Sequence, residues 1–96
     1  MGRRARVFHF LGDLQNRLGN WEDGARFFRR AYDATEGLYE RDPRDDERLF
    51  NHSQSAFWVG YSLWQAREMV EARATFEDYL TLVGRYKEKV GPTKVR

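Results

Sequence analysis

Residues 10–32 read FLGDLQNRLGNWEDGARFFRRAY, and residues 58–80 read WVGYSLWQAREMVEARATFEDYL. Laid on one another at a shift of 48, the two stretches agree in size and polarity. Phe10 falls on Trp58, Leu11 on Val59 and Gly12 on Gly60; further on, Trp21 falls on Met69, Gly24 on Ala72, Phe28 on Phe76 and Tyr32 on Leu80. Small residues meet small ones, and large apolar residues meet large apolar ones. Self-similarity at a fixed period marks one supersecondary unit used twice.

Each unit reads as two helices with a stop between them. Val7, Phe10, Leu11, Leu14 and Leu18 step by three and four along a first helix. Gly19 then supplies a residue that tolerates positive φ, and Asn20 is placed as an N-cap with Asp23 in the first turn that follows. The second helix carries Trp21, Ala25, Phe28, Tyr32 and Tyr39 on one stripe. Asp42 before Pro43 predicts the N-cap and first position of a third helix. That helix places Leu49, Ser53, Ala56, Gly60 and Leu63 on a stripe flanked by Phe50, Phe57, Tyr61 and Trp64. Met69, Ala72, Phe76, Tyr79, Val83 and Tyr86 mark a fourth, expected to fray before Gly91-Pro92. No stretch alternates with period two. The expected fold class is all-α, two stacked antiparallel helix hairpins over about residues 5–40 and 43–88 in a helical domain spanning 1–90. Residues 91–96 are expected to form a basic, disordered tail.

Composition narrows the function classes. At 96 residues the chain is one domain at most, near the size at which a single core becomes marginal. Aromatics make up 16% of it, so large rings carry the buried surface. The net charge is only +2, with acids and bases interleaved, which argues against a dedicated nucleic-acid binder. Cysteine is absent, which removes disulfides, thiolate zinc sites and cysteine nucleophiles. No apolar run reaches the roughly 20 residues of a membrane-spanning helix, and a cytoplasmic location is the expectation.

At the positions quoted above the chain resembles the tetratricopeptide repeat. That family pairs an early Leu-Gly on its first helix with Ala-x3-Phe or Tyr on its second. Leu11-Gly12, Gly19, Trp21, Gly24, Phe28 and Ala31 follow the pattern in the first unit; Gly60, Leu63, Met69, Ala72 and Phe76 follow it in the second. Close helix crossing explains the small residues: Gly12 is expected to nest against Gly24, and Gly60 against Ala72. Residues 52–65, HSQSAFWVGYSLWQ, also resemble a stretch found in some bacterial proteins of this kind. Two departures stand out. The period of 48 exceeds the family's usual value of about 34, and Gln15 stands where the family has an aromatic. A prolonged second helix and an early third helix are expected to absorb the difference.

The resemblance implies a concave binding face lined by the first helix of each hairpin. Carried over residue by residue, it presents His9, Asp13, Asn16 and Arg17 from the first unit. From the second it presents Gln54, Phe57, Tyr61, Trp64 and Gln65. Aromatic area with polar tips suits an extended or helical peptide. The same rings at helical spacing also suit a core, and the polar groups a solvated face. A protein-interaction module, a scaffold or adaptor with no catalytic role, is the expected function. The alternatives are a nucleic-acid accessory protein using its basic ends and a regulatory fragment of a larger protein.

Catalytic constellations are weak. His9 and His52 are the only histidines and lack a metal-ligand spacing. Ser53 and Ser55 lie beside His52 without an evident orienting acid. No cofactor, metal or catalytic residue is expected. Stacked hairpins normally number about three or more, with polar caps at the ends. Two hairpins whose last helix is apolar on more than one face are expected to self-associate, as a twofold homodimer, or to belong to a longer solenoid.

Overall fold

The computed structural model describes the backbone of residues 2–95 and the side chains of residues 2–91. Four helices follow in order: α1 (Arg3–Arg17), α2 (Trp21–Arg41), α3 (Asp46–Gln65) and α4 (Met69–Val95). No strand occurs among the described residues. Each helix packs on the next in the chain, so α1–α2 and α3–α4 are hairpins and the α2–α3 contact stacks them.

The turns inside the two hairpins agree to the hydrogen bond. In the first, Asn20 N donates to Gln15 O at 2.9 Å and Gly19 N to Asn16 O at 3.0 Å. In the second, Glu68 N donates to Leu63 O at 2.9 Å and Arg67 N to Trp64 O at 3.1 Å. Both are Schellman closures, which need a left-handed residue just past the helix end. Gly19 takes it with φ 80° and Arg67 with φ 67°, two positions one repeat apart. Asn20 stands at the N-cap position, but its side chain does not cap. Its Nδ2 donates to Gln15 Oε1 at 2.9 Å instead.

The crossing inside each hairpin is equally repeated. A Cβ added at Gly12 would lie 2.7 Å from the Phe28 ring, and one at Gly60 would lie 2.8 Å from the Phe76 ring. Each glycine therefore admits the ring of the helix it faces. At Gly60 the Phe76 ring fills the space left by the missing side chain, with Ala72 in the same core cluster. Gly12 and Gly24 do approach, with Gly12 O 3.3 Å from a Cβ built at Gly24.

The third helix starts later than expected. Asp42 closes α2, and Asp45 N donates to Asp42 O at 3.1 Å across a turn holding Pro43 and Arg44. Asp at the first and Pro at the second position suit such a turn. The N-cap is Asp45, whose carboxylate accepts from Glu47 N at 2.9 Å and Arg48 N at 3.3 Å. It offers the same chemistry three residues on, with Asp46 and Glu47 in the first turn.

One core cluster, Ala25, Phe28, Val59, Leu63 and Ala72, joins the hairpins at the crossings. A second, Leu49, Ala56 and Leu82 ringed by Tyr32, Tyr39, Tyr79 and Tyr86, is built by the added length of α2 and α3. The apolar stripe of α1 is not in either. Val7, Phe10, Leu14 and Leu18 are 49%, 68%, 41% and 65% exposed, while Ala5, Gly12 and Asn16 are buried. Backbone contact through Gly12 sets this choice of face, since only the small side of α1 can approach α2 that closely. Helix α4 is interrupted at Gly91, where φ is 74° and ψ 168°. Apart from Gly91 and the backbone of 92–95, the expected tail lies outside the described residues.

The matched turns yield a stability prediction. Left-handed backbone costs a residue with a Cβ about 1–2 kcal/mol, which glycine escapes at the expense of unfolded-state entropy. Arg67→Gly is expected to stabilise the protein by about 1 kcal/mol in urea denaturation, and Gly19→Ala to destabilise it by a similar amount. A destabilised Arg67→Gly would mean that the Arg67 side chain contributes more than its backbone costs.

Candidate functional site

The residues expected on one concave face fall into several distinct environments. Asp13 and Arg17 are exposed and paired with each other at 2.9 Å. His9 and Asn16 sit in the seam between α1 and α3. His9 Nε2 meets Ser55 Oγ at 2.9 Å, and its ring stands edge-on to Phe28. Asn16 is buried; its Nδ2 donates to Ser62 Oγ at 2.8 Å, while its Oδ1 finds no partner and points at Gly24. Gln54 is half-buried on α3. Phe57 packs among Trp58, Phe76 and Tyr79 between α3 and α4. Tyr61 and Trp64 border open space together, and Gln65 Nε2 donates to Tyr61 Oη at 3.2 Å.

The seam continues inward as a polar chain that the sequence does not announce. Thr35 Oγ1 lies 3.2 Å from Ser55 Oγ and 3.0 Å from His52 Nδ1. The His52 ring is tilted against Tyr32 at 4.5 Å and stacked on Tyr39 at 5.9 Å. Its Nε2 lies 3.9 Å from Glu36 Oε2, so an acid does approach this histidine. Ser55 and Thr35 are nonetheless almost wholly enclosed. Burial pulls the His52 imidazole from 6.5 down to about 4, opposed in part by Asp78. Burial lowers His9 as well. Both rings are neutral at pH 7, and a neutral imidazole offers one donor and one acceptor to the hydroxyls that link them. No group of three or more His, Cys, Asp and Glu able to hold a metal occurs among the described residues.

The open feature is a groove between the end of α3 and the start of α4. Its volume is about 640 Å³, and its walls are Tyr61, Trp64, Met69, Ala72, Phe76 and Leu80, with Arg73 and Glu77 at the edge. Trp64 and Leu80 are 47% and 65% exposed, so large apolar surface is left in water. Tyr61 and Trp64 are among the residues expected from the sequence. The α4 wall was missed, although Phe76 and Leu80, four apart on a helix apolar on several faces, carried the signal.

The chain matches no protein-family model, no curated protein and no solved structure. Its functional reading therefore rests on the groove and the seam. Among the described residues no helix is long and apolar enough to cross a membrane.

The seam predicts an acid-sensitive fold. The folded pKa of His52 lies below its unfolded value, so the unfolded chain takes up the proton first as pH falls. The stability from neutral His52 is complete above about pH 6.5 and is lost as pH falls toward 4. The loss is on the order of 3 kcal/mol. His52→Asn should flatten this slope in denaturant titrations between pH 7 and 4.5. An equal slope in the variant would place the acid sensitivity in other groups.

Proposed function

We propose that this chain is a protein-interaction module of the tetratricopeptide-like kind, which holds an amphipathic helix in the groove between α3 and α4. The observation that supports the reading is the apolar wall from Tyr61 to Leu80, left open beside a charged edge of Arg73 and Glu77. Soluble proteins seldom leave contiguous apolar surface of this kind without a binding role. Aromatic rings in a groove with a polar rim are where binding energy concentrates. A helix presents apolar anchors at i, i+3, i+4 and i+7, a row that lies along a trough between two helices.

Nucleic acid is a weaker fit. Arg17, Arg29, Arg48, Arg73 and Lys89 are each paired with an acid of the chain. The charge of these five is offset by neighbours within the chain, and the net charge of +2 leaves little excess to neutralise phosphates.

A labelled synthetic peptide with leucines at i, i+3, i+7 and i+11, otherwise neutral and helix-forming, provides the test. Its fluorescence anisotropy should rise on titration with the protein. Leu80→Arg, at an exposed position, should weaken that binding about tenfold or more while leaving circular dichroism unchanged. Equal binding by the variant, or none by the wild type, would remove the groove as the helix site.

A further inference from the structure

Resting on the reading of the groove as a helix-binding site, we propose that its occupant is α1 of a second copy of this chain, joined head to tail.

The contact already exists once inside the molecule. Helix α3 is seated on the first hairpin through Ser55, Trp58 and Ser62. Ser55 Oγ meets His9 Nε2 at 2.9 Å and Thr35 Oγ1 at 3.2 Å, Trp58 stacks on Phe28 at 5.8 Å, and Ser62 Oγ accepts from Asn16 Nδ2 at 2.8 Å. One repeat of 48 earlier, these three positions are Val7, Phe10 and Leu14. They are the exposed stripe of α1. The receiving surface shifts the other way. Asn16, Trp21, Gly24, Phe28 and Tyr32 become Trp64, Met69, Ala72, Phe76 and Leu80. They are the walls of the groove. The chain thus presents both halves of a contact it makes internally, each half open.

The residue exchanges between the copies point the same way. The buried polar pair Asn16–Ser62 becomes Trp64 facing Leu14, and Thr35–Ser55 becomes Val83 facing Val7. The ring pair Phe28–Trp58 becomes Phe76 facing Phe10. In these two pairs both polar partners turn apolar together, while Thr35–His52 becomes Val83 facing Arg4 and Trp21–Tyr61 becomes Met69 facing Asp13 at the rim.

Such a contact is heterologous, using a different surface on each copy, so it does not close as a twofold dimer and instead adds copies end to end. One helix in one groove buries less than the about 1,600 Å² of a standard interface, so the association is weak and depends on concentration.

Sedimentation of the full chain from low to high micromolar concentration tests the proposal, with two variants at exposed positions, Phe10→Lys on the stripe and Leu80→Arg in the groove. The wild-type weight-average mass should climb past that of a dimer, and each variant alone should remain a monomer. The two variants mixed should form a one-to-one dimer and nothing larger, since the mixture holds one intact stripe and one intact groove. Both introduced charges are positive, so the two altered faces repel rather than rescue each other. A wild type that stays monomeric overturns the proposal. So does a dimer that survives either single change, or a mixture that fails to associate. A monomeric wild type that still binds the leucine peptide would leave the helix-binding reading standing and remove only the second copy.

Discussion

Everything in this molecule depends on how closely two helices can cross. Gly12 and Gly60 leave no side chain where Phe28 and Phe76 must lie, and added methyl groups would stand under 3 Å from those rings. The ring takes the place of the missing side chain, so each hairpin closes at one depth and one rotation. That rotation turns the small side of α1 inward and its four large apolar residues outward. The same constraint, met a second time, brings α3 and α4 together and opens a groove beside them.

A stack built from such units buries its surfaces by neighbour on neighbour. Inside the chain the arrangement is satisfied once, where α3 lies on the first hairpin. The seam there is polar, with Asn16, Ser62, Ser55, Thr35 and both histidines linked by hydrogen bonds. Enclosed polar groups fix register because a slipped arrangement would leave them unpaired. Burial also holds His52 neutral, which couples the seam to pH. At the open faces the positions equivalent to Asn16, Ser62, Ser55 and Thr35 are Trp64, Leu14, Val7 and Val83, all apolar.

The aromatic content has a double use. Tyr32, Tyr39, Tyr79 and Tyr86 surround the second core cluster and keep the long ends of α2, α3 and α4 together. Tyr61 and Trp64 continue the same row to the surface, where they become groove wall. One ladder of rings thus runs from core to edge. This is why Phe57 and Trp64, at similar helical spacing, end in different environments.

The sequence by itself determined the number of helices, their pairing and the 48-residue repeat, because these follow from periodicity, glycine placement and local turn chemistry. Even the left-handed turn at Arg67 was implicit in its alignment with Gly19. Tyr61 and Trp64, expected on an open face from their place in the repeat, do line the groove. The tertiary structure alone decided which face of α1 is buried, since both its small side and its apolar stripe have helical spacing and only the glycine crossing chooses between them. It alone moved His9 and Asn16 into the seam, where partners 46 residues away meet them. It alone added the α4 wall, because a groove belongs to two helices at once and no single stretch of sequence contains it.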